Sequence, residues 1–249
     1  MIPNNSNIVD ISSYKDKNGN VIVQSPQSYF KQPYYIEAMY DEKVFKSFVT
    51  CVEKEIRRSD EYARYLGHLR SMGLNGCAIL NNIQNNDEEL SKLTIEFHHY
   101  PFTLYDIVSI VTEEMLSDET QYVSSFLVAQ KVLQLHFDNK VGLVPLCKTV
   151  HELAHAGEIF INLNLVYGYY DKFIEEYDEF IDDDYKNQYN MLVRMTKDNK
   201  PYSESDILAL KQRAIEEEEE LQEIKESKKS KVTKEKLAEL LDDDEDEEE

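Results

Sequence analysis

Five of the six histidines in this 249-residue chain fall between positions 98 and 155. They form a vicinal pair, His98-His99, in the segment LTIEFHH, and an H-x3-H pair, His151 and His155, in VGLVPLCKTVHELAHAG. Imidazole is the commonest protein ligand for metals and also titrates near neutral pH. The set therefore has enough donors to hold one ion and to leave a ring free for proton transfer. His68 and His136 stand apart and read as ordinary, partly buried helical side chains.

Two elements must position these rings. Leu93, Ile95 and Phe97 alternate with polar residues and read as a strand that delivers His98 and His99. Strand neighbours point to opposite faces, so the two histidines take different tasks unless the strand breaks there, and Pro101 supplies a break. Downstream, Gly142 to Leu146 reads as a second extended segment, because Pro145 disfavours helix for the residue before it. Thr149 and Glu152 form a capping-box pattern that starts a helix at Thr149, with His151 in its first turn. His151 and His155, four residues apart, then share one helical face.

His151-Glu152-Leu153-Ala154-His155 is literally H-E-x-x-H, the zinc-protease signature in which the glutamate acts as general base. The first-turn position of His151 argues against that reading, and Gly157 and Glu158 do not continue it into H-x-x-G-x-x-H. A third protease ligand would have to come from Glu175 or Glu176.

Taken jointly, Glu96-Phe97-His98-His99 with Pro101, then Leu143-Val144-Pro145-Leu146-Cys147, His151 and His155 resemble the HNH (His-Me finger) nucleases, in particular their colicin-type DNases. The resemblance covers about 93–163, and the whole chain is similar to HNH-like proteins that tailed bacteriophages encode. It implies a metal-dependent endonuclease that hydrolyses phosphodiester bonds of nucleic acid, DNA first. His98, His151 and His155 would hold one divalent ion (Zn, Mg, Mn or Ni), His99 would be the general base, and Glu96 would orient a phosphate-binding arginine. Three protein ligands would leave an open coordination position, as catalytic sites need. Gly142 stands where the family carries its asparagine. His151 follows His99 by 52 positions, and the added length reads as an inserted helical hairpin with apolar faces at Leu104, Ile107, Val108 and Val111 and from Phe126 to Leu135. A degenerate site would instead imply a phage structural or partner-binding protein.

Charge runs against nucleic acid. The chain has 27 Lys+Arg and 49 Asp+Glu, a net of −22, the wrong sign for approach to a polyanion. Residues 41–163 alone hold 11 basic and 18 acidic residues. Lys54, Arg57 and Arg58 share a helical face and are the candidate phosphate contacts. Glu53, Glu55, Asp60 and Glu61 lie around them, so mixed surface ion pairing explains the same residues.

Composition bounds the rest. Hydrophobic content of 41 %, with 17 Tyr and 10 Phe, supplies a core, while 7 Gly and 6 Pro favour helix. The expected fold is mainly α with a small ββα-metal core and an inserted helical hairpin, α+β overall. No stretch approaches 18 consecutive apolar residues, and the N-terminus lacks a signal-peptide pattern. Cys51, Cys77 and Cys147 form no C-x-x-C pair, which fits a reducing, cytoplasmic setting, the host cytoplasm for a phage-encoded chain, or a virion location for a structural one.

The chain divides into a polar arm over 1–33 with an Asn18-Gly19 hairpin turn, a helical domain over 34–182, and a charged extension over 183–249. Within these, helix is expected from Asp41 to about Leu69, a short strand at Cys77 to Leu80, a tyrosine-rich helix from Tyr170 to Phe180, and helices at Ser203 to Ser227 and Thr233 to Leu241. The last eight residues, Asp242 to Glu249, are too acidic to be buried.

Overall fold

The computed structural model describes residues 34–80, 90–117, 122–198, 200 and 202–242. The expected N-terminal arm with its Asn18-Gly19 turn, and the acidic tail beyond Asp242, lie outside the described residues. The fold is mainly helical with small antiparallel strand pairs, α+β as composition suggests. Among the described residues no helix is long and apolar enough to cross a membrane.

The chain forms two compact units, each made of three segments, and crosses between them after Ala63, Pro101, Lys140, Tyr170 and Asp182. In the first unit, helix α1 (Ile36–Met39) follows the short strand β1 (Tyr34–Tyr35), which pairs antiparallel with β3 (Tyr122–Val123). Its core is built by α2 (Glu42–Arg58), α4 (Leu104–Ser117) and α5 (Ser125–Phe137), which pack on one another. Helix α2 starts at Asp41, whose carboxylate accepts the Lys43 and Val44 N–H groups at 2.9 and 3.1 Å. Phe48, Val49, Val52 and Ile56 form its buried stripe, with Phe45 half-buried beside them. Helices α4 and α5 are the expected hairpin; α4 buries six consecutive residues, Ile107 to Thr112, which places it at the centre of this core.

The helix expected from Asp41 to Leu69 is two helices. Ser59 ends α2 and starts α3 (Asp60–Ser71): its hydroxyl donates to the Ile56 carbonyl at 2.8 Å and accepts the Tyr62 N–H at 3.1 Å. One side chain thus satisfies backbone groups on both sides of the break.

In the second unit, β2 (Ile95–His99) pairs antiparallel with β4 (Leu143–Cys147) in the register Ile95↔Cys147 through His99↔Leu143. Helix α6 (Lys148–His155) follows β4 without a loop. Leu143 also exchanges backbone hydrogen bonds with Tyr167, at 2.9 and 2.8 Å. Val144, Leu146, Cys147, Val150 and Leu153 bury against Leu93, Ile159, Ile161, Ile207 and Ala214. Helix α8 (Asp183–Asp198) meets the 3₁₀ turn at Leu163–Leu165, where Thr196 accepts the Leu163 N–H. Helix α9 runs unbroken over Glu204–Asp242, where two shorter helices are expected from sequence. The tyrosine-rich segment forms α7 (Tyr170–Tyr177) and a 3₁₀ turn over Asp178–Phe180, close to expectation.

Cys77 to Leu80 is a turn and not a strand. The Ala78 N–H donates to the Pro145 carbonyl at 2.8 Å, a single backbone bond in place of a ladder.

Candidate metal centre

Period-two geometry sorts β2 cleanly. Phe97 and His99 are buried on one face, and Glu96 and His98 are half-buried on the other. The strand does not break between the two histidines; it continues to His99, which pairs with Leu143, and turns afterwards at the cis Tyr100-Pro101 bond. His98 and His99 therefore face opposite ways. His99 is 5 % exposed, outside the histidine cluster.

On the Glu96–His98 face, α6 presents His151 and His155 one turn apart. His151 Nε2 lies 3.0 Å from His98 Nδ1 and 3.1 Å from His155 Nε2. One donor atom from each of the three rings falls within 4.8 Å of the others. An ion with metal–nitrogen bonds of about 2.0–2.1 Å and tetrahedral angles sets its ligand nitrogens roughly 3.3 Å apart, close to the two distances from His151 Nε2. His151 Nδ1–H donates to Glu96 Oε2 at 2.5 Å, which leaves the His151 Nε2 lone pair for the cluster. Burial, reinforced by the charges of His151 and His155, pulls the His98 pKa down to about 4, so its ring is neutral and ligand-competent at pH 7.

Helix α6 does not start as its capping-box pattern suggests. It begins at Lys148 with Cys147 as N-cap, and Thr149 turns inward, 4 % exposed, to donate to Glu217 Oε2 at 2.6 Å. Glu152 is mostly exposed and faces Lys148 at 3.6 Å. The third member of the histidine cluster is His98. Glu175 and Glu176 are paired with Lys172 and Lys140 within the first unit.

Glu96 orients His151, and no arginine is bonded to it among the described residues. A Cβ at Gly142 would lie 2.0 Å from the Tyr100 carbonyl oxygen and 2.8 Å from Val166 Cγ1, so the asparagine of the His-Me finger pattern does not fit. Asn139, just past the end of α5, takes the left-handed region at φ 54°. Within the basic trio, Arg57 is committed to Glu53 through Nε at 3.1 Å and Nη2 at 2.8 Å. Lys54 and Arg58 are exposed on the same helix.

The proximity of two cysteines escaped the sequence reading. Cys77 and Cys147 are both buried free thiols, and their interaction eases ionisation of Cys77 while, with burial, it pushes Cys147 up. His136 is fully buried, with Nδ1–H donating to the Val132 carbonyl at 2.7 Å, whereas His68 is exposed.

A model of the bacteriophage G278-like virion proteins matches residues 2–237. The chain belongs to that family. This match, spanning nearly the whole chain, overturns the assignment to HNH nucleases and leaves the phage connection standing. No curated protein and no solved structure matches the chain. The histidine cluster is thus a feature of a virion-protein family member, reached by a strand pair and a helix.

Proposed function

We propose that this protein is a structural, partner-binding component of the phage particle, and that His98, His151 and His155 hold one divalent ion that braces its second unit. The match to a virion-protein family over residues 2–237 carries the first statement. Phage proteins are then its partners, and the virion its location. The net charge of −22 favours protein partners over nucleic acid.

The convergence of three ring nitrogens beside the Glu96 carboxylate supports the ion. Neutral imidazoles with a carboxylate behind one of them suit zinc best among the common divalent ions. Three ligands on β2 and α6 would tie a strand to a helix, so the ion would stabilise what the small strand pair cannot stabilise alone.

Mass spectrometry of purified particles tests the location: the protein is expected in mature virions in fixed copy number. Detection only in infected-cell lysate would refute it. Elemental analysis of the purified protein tests the ion, with one metal per chain expected and none in His151→Ala. Metal-dependent cleavage of plasmid DNA that disappears in His99→Ala would overturn the structural reading of the centre.

A further inference from the structure

Helix α5 carries an uncharged face toward solvent. Its other side, with Val128, Val132, Leu135 and His136 buried, packs on α2 and α4. The exposed residues are Phe126, Leu127, Gln130, Gln134 and Phe137, with Leu133 half-buried at their edge. None of them is charged, in a chain with 31 % charged residues. Helix α2 of the same unit exposes charged residues everywhere but at Ser47, as a solvated helix face does. On α5, Phe126, Leu127 and Phe137 stand 45, 46 and 48 % exposed instead. Its one charged residue, Lys131, is drawn aside to Glu114 Oε2 at 2.5 Å.

The pattern on this face is symmetric. Leu127, Gln130, Gln134 and Phe137 are spaced by three, four and three positions, the seam spacing of two helices that pack along each other. Read from either end, the order is apolar, amide, amide, apolar. Such a seam complements itself under a two-fold axis, the commonest relation between identical chains. Charge points to the same occupant. Two chains of net charge −22 repel each other, and an uncharged face lets them meet where that repulsion is least.

We propose that α5 docks on α5 of a second copy, the two helices antiparallel about a two-fold axis between Gln130 and Gln134. Leu127 of each copy then meets Phe137 of the other, and Gln130 of each meets Gln134 of the other. Gln134 Nε2 donates to Asp138 Oδ1 at 2.8 Å, so its Oε1 is the acceptor for the Gln130 amide across the axis. Phe126 and Leu133 widen the apolar part of the contact. The three exposed apolar side chains withdraw on the order of 250 Å² per copy from water, against about 800 Å² per partner in a standard interface. The pair is therefore weak in dilute solution and forms where copies are concentrated. It uses the first unit alone and does not depend on an ion at the histidine centre.

Sedimentation equilibrium on the full chain, from a few to hundreds of micromolar, should show the mass rising toward twice 29.2 kDa. Because like net charges oppose this contact, added salt should strengthen it. Leu127→Lys and Phe137→Glu should each be monomeric. Mixed in equal amounts they should form a heterodimer, since the introduced charges face each other at one end and the native Leu127–Phe137 contact remains at the other. A parallel pair would set each position against itself, and the two variants would not combine. Both sites are near half exposed, so circular dichroism of the variants should match the native chain. Gln130→Glu, which stays polar and helix-forming, should also be monomeric and carries the test should either other variant lose structure. Leu208→Lys, at a side chain 55 % exposed on α9, should leave the pairing intact. A native chain that stays monomeric throughout, dimers that weaken with salt or survive the α5 substitutions, or variants that fail to combine would each overturn the proposal.

Discussion

Gly142 has no room for a side-chain carbon. Its carbonyl accepts the Tyr100 N–H at 3.0 Å, and an added Cβ would stand 2.0 Å from the Tyr100 carbonyl oxygen. Backbone, not a flexible side-chain end, occupies that space, so relief requires the end of β2 to move away from β4. Overpacking costs about 1–3 kcal/mol and the displaced backbone hydrogen bond about 1 more, which puts Gly142→Ala at roughly 2–4 kcal/mol. Two other glycines separate sterics from backbone preference. Gly157, at φ 73°, has no atom within 4 Å of an added Cβ, so Gly157→Ala should cost only the left-handed penalty of about 1–2 kcal/mol. Gly67, inside α3 and equally open, should gain roughly 0.5–1 kcal/mol as alanine. Urea unfolding followed by circular dichroism at pH 7 measures all three. Should Gly142→Ala prove no more destabilising than Gly157→Ala, the close-approach argument fails. Because Tyr100 follows His98 and His99 directly, Gly142→Ala should also weaken metal retention, which Gly67→Ala should not.

Glu96→Gln, which keeps the shape but loses the charge behind His151, should lower zinc affinity roughly 10- to 100-fold in a chelator competition, and unchanged affinity would refute its orienting role. His99→Asn should retain the ion, since that ring lies on the opposite face of β2; coupled loss of metal would show otherwise. His136 carries a pH dependence: burial holds its pKa near 4 in the folded chain against 6.5 when free, despite the Val132 carbonyl. Below pH 6.5 the unfolded chain takes up a proton that the folded chain refuses, so stability is full above that pH and falls as pH drops toward 4. The loss reaches at most about 3 kcal/mol. Stability against pH should flatten in His136→Gln over that window, and an unchanged slope would remove His136 as its source. Glu218→Ala, which strips the hydrogen bonds from the Thr94 N–H and hydroxyl, should cost about 2 kcal/mol and speed hydrogen exchange in the first half of α9; native protection there would refute its role in anchoring that helix.

Local pattern made much of the centre legible. The alternation in β2, the i,i+4 spacing of His151 and His155, and the apolar faces of α4 and α5 all report on residues adjacent in sequence. What was missed depends on partners far along the chain. Glu96 meets His151 across 55 positions, although its place two residues before His98 already puts it on the same strand face. Thr149 has a capping pattern, but Glu217 outcompetes the local partner. The turn at Cys77–Leu80 is held by Pro145. Ser59 did carry a local signal, a serine ahead of Asp60 and Glu61, masked by the uninterrupted apolar period across it. The family assignment failed for a more general reason. A strand pair and a helix bearing three histidines is a compact solution to ion binding, and such a motif matches chains of unrelated role.

The segmented construction of the second unit bears on how the protein can be made. Strand β2 emerges from the ribosome more than forty residues ahead of its partner β4, with the central helices of the first unit between them. Until Cys147 has been synthesised, β2 is a strand edge with nothing to pair with, and exposed edges recruit other chains. Nascent chains released before that point should therefore aggregate rather than yield a soluble fragment. No cut at a single position can isolate either unit, since each is assembled from three stretches of polypeptide.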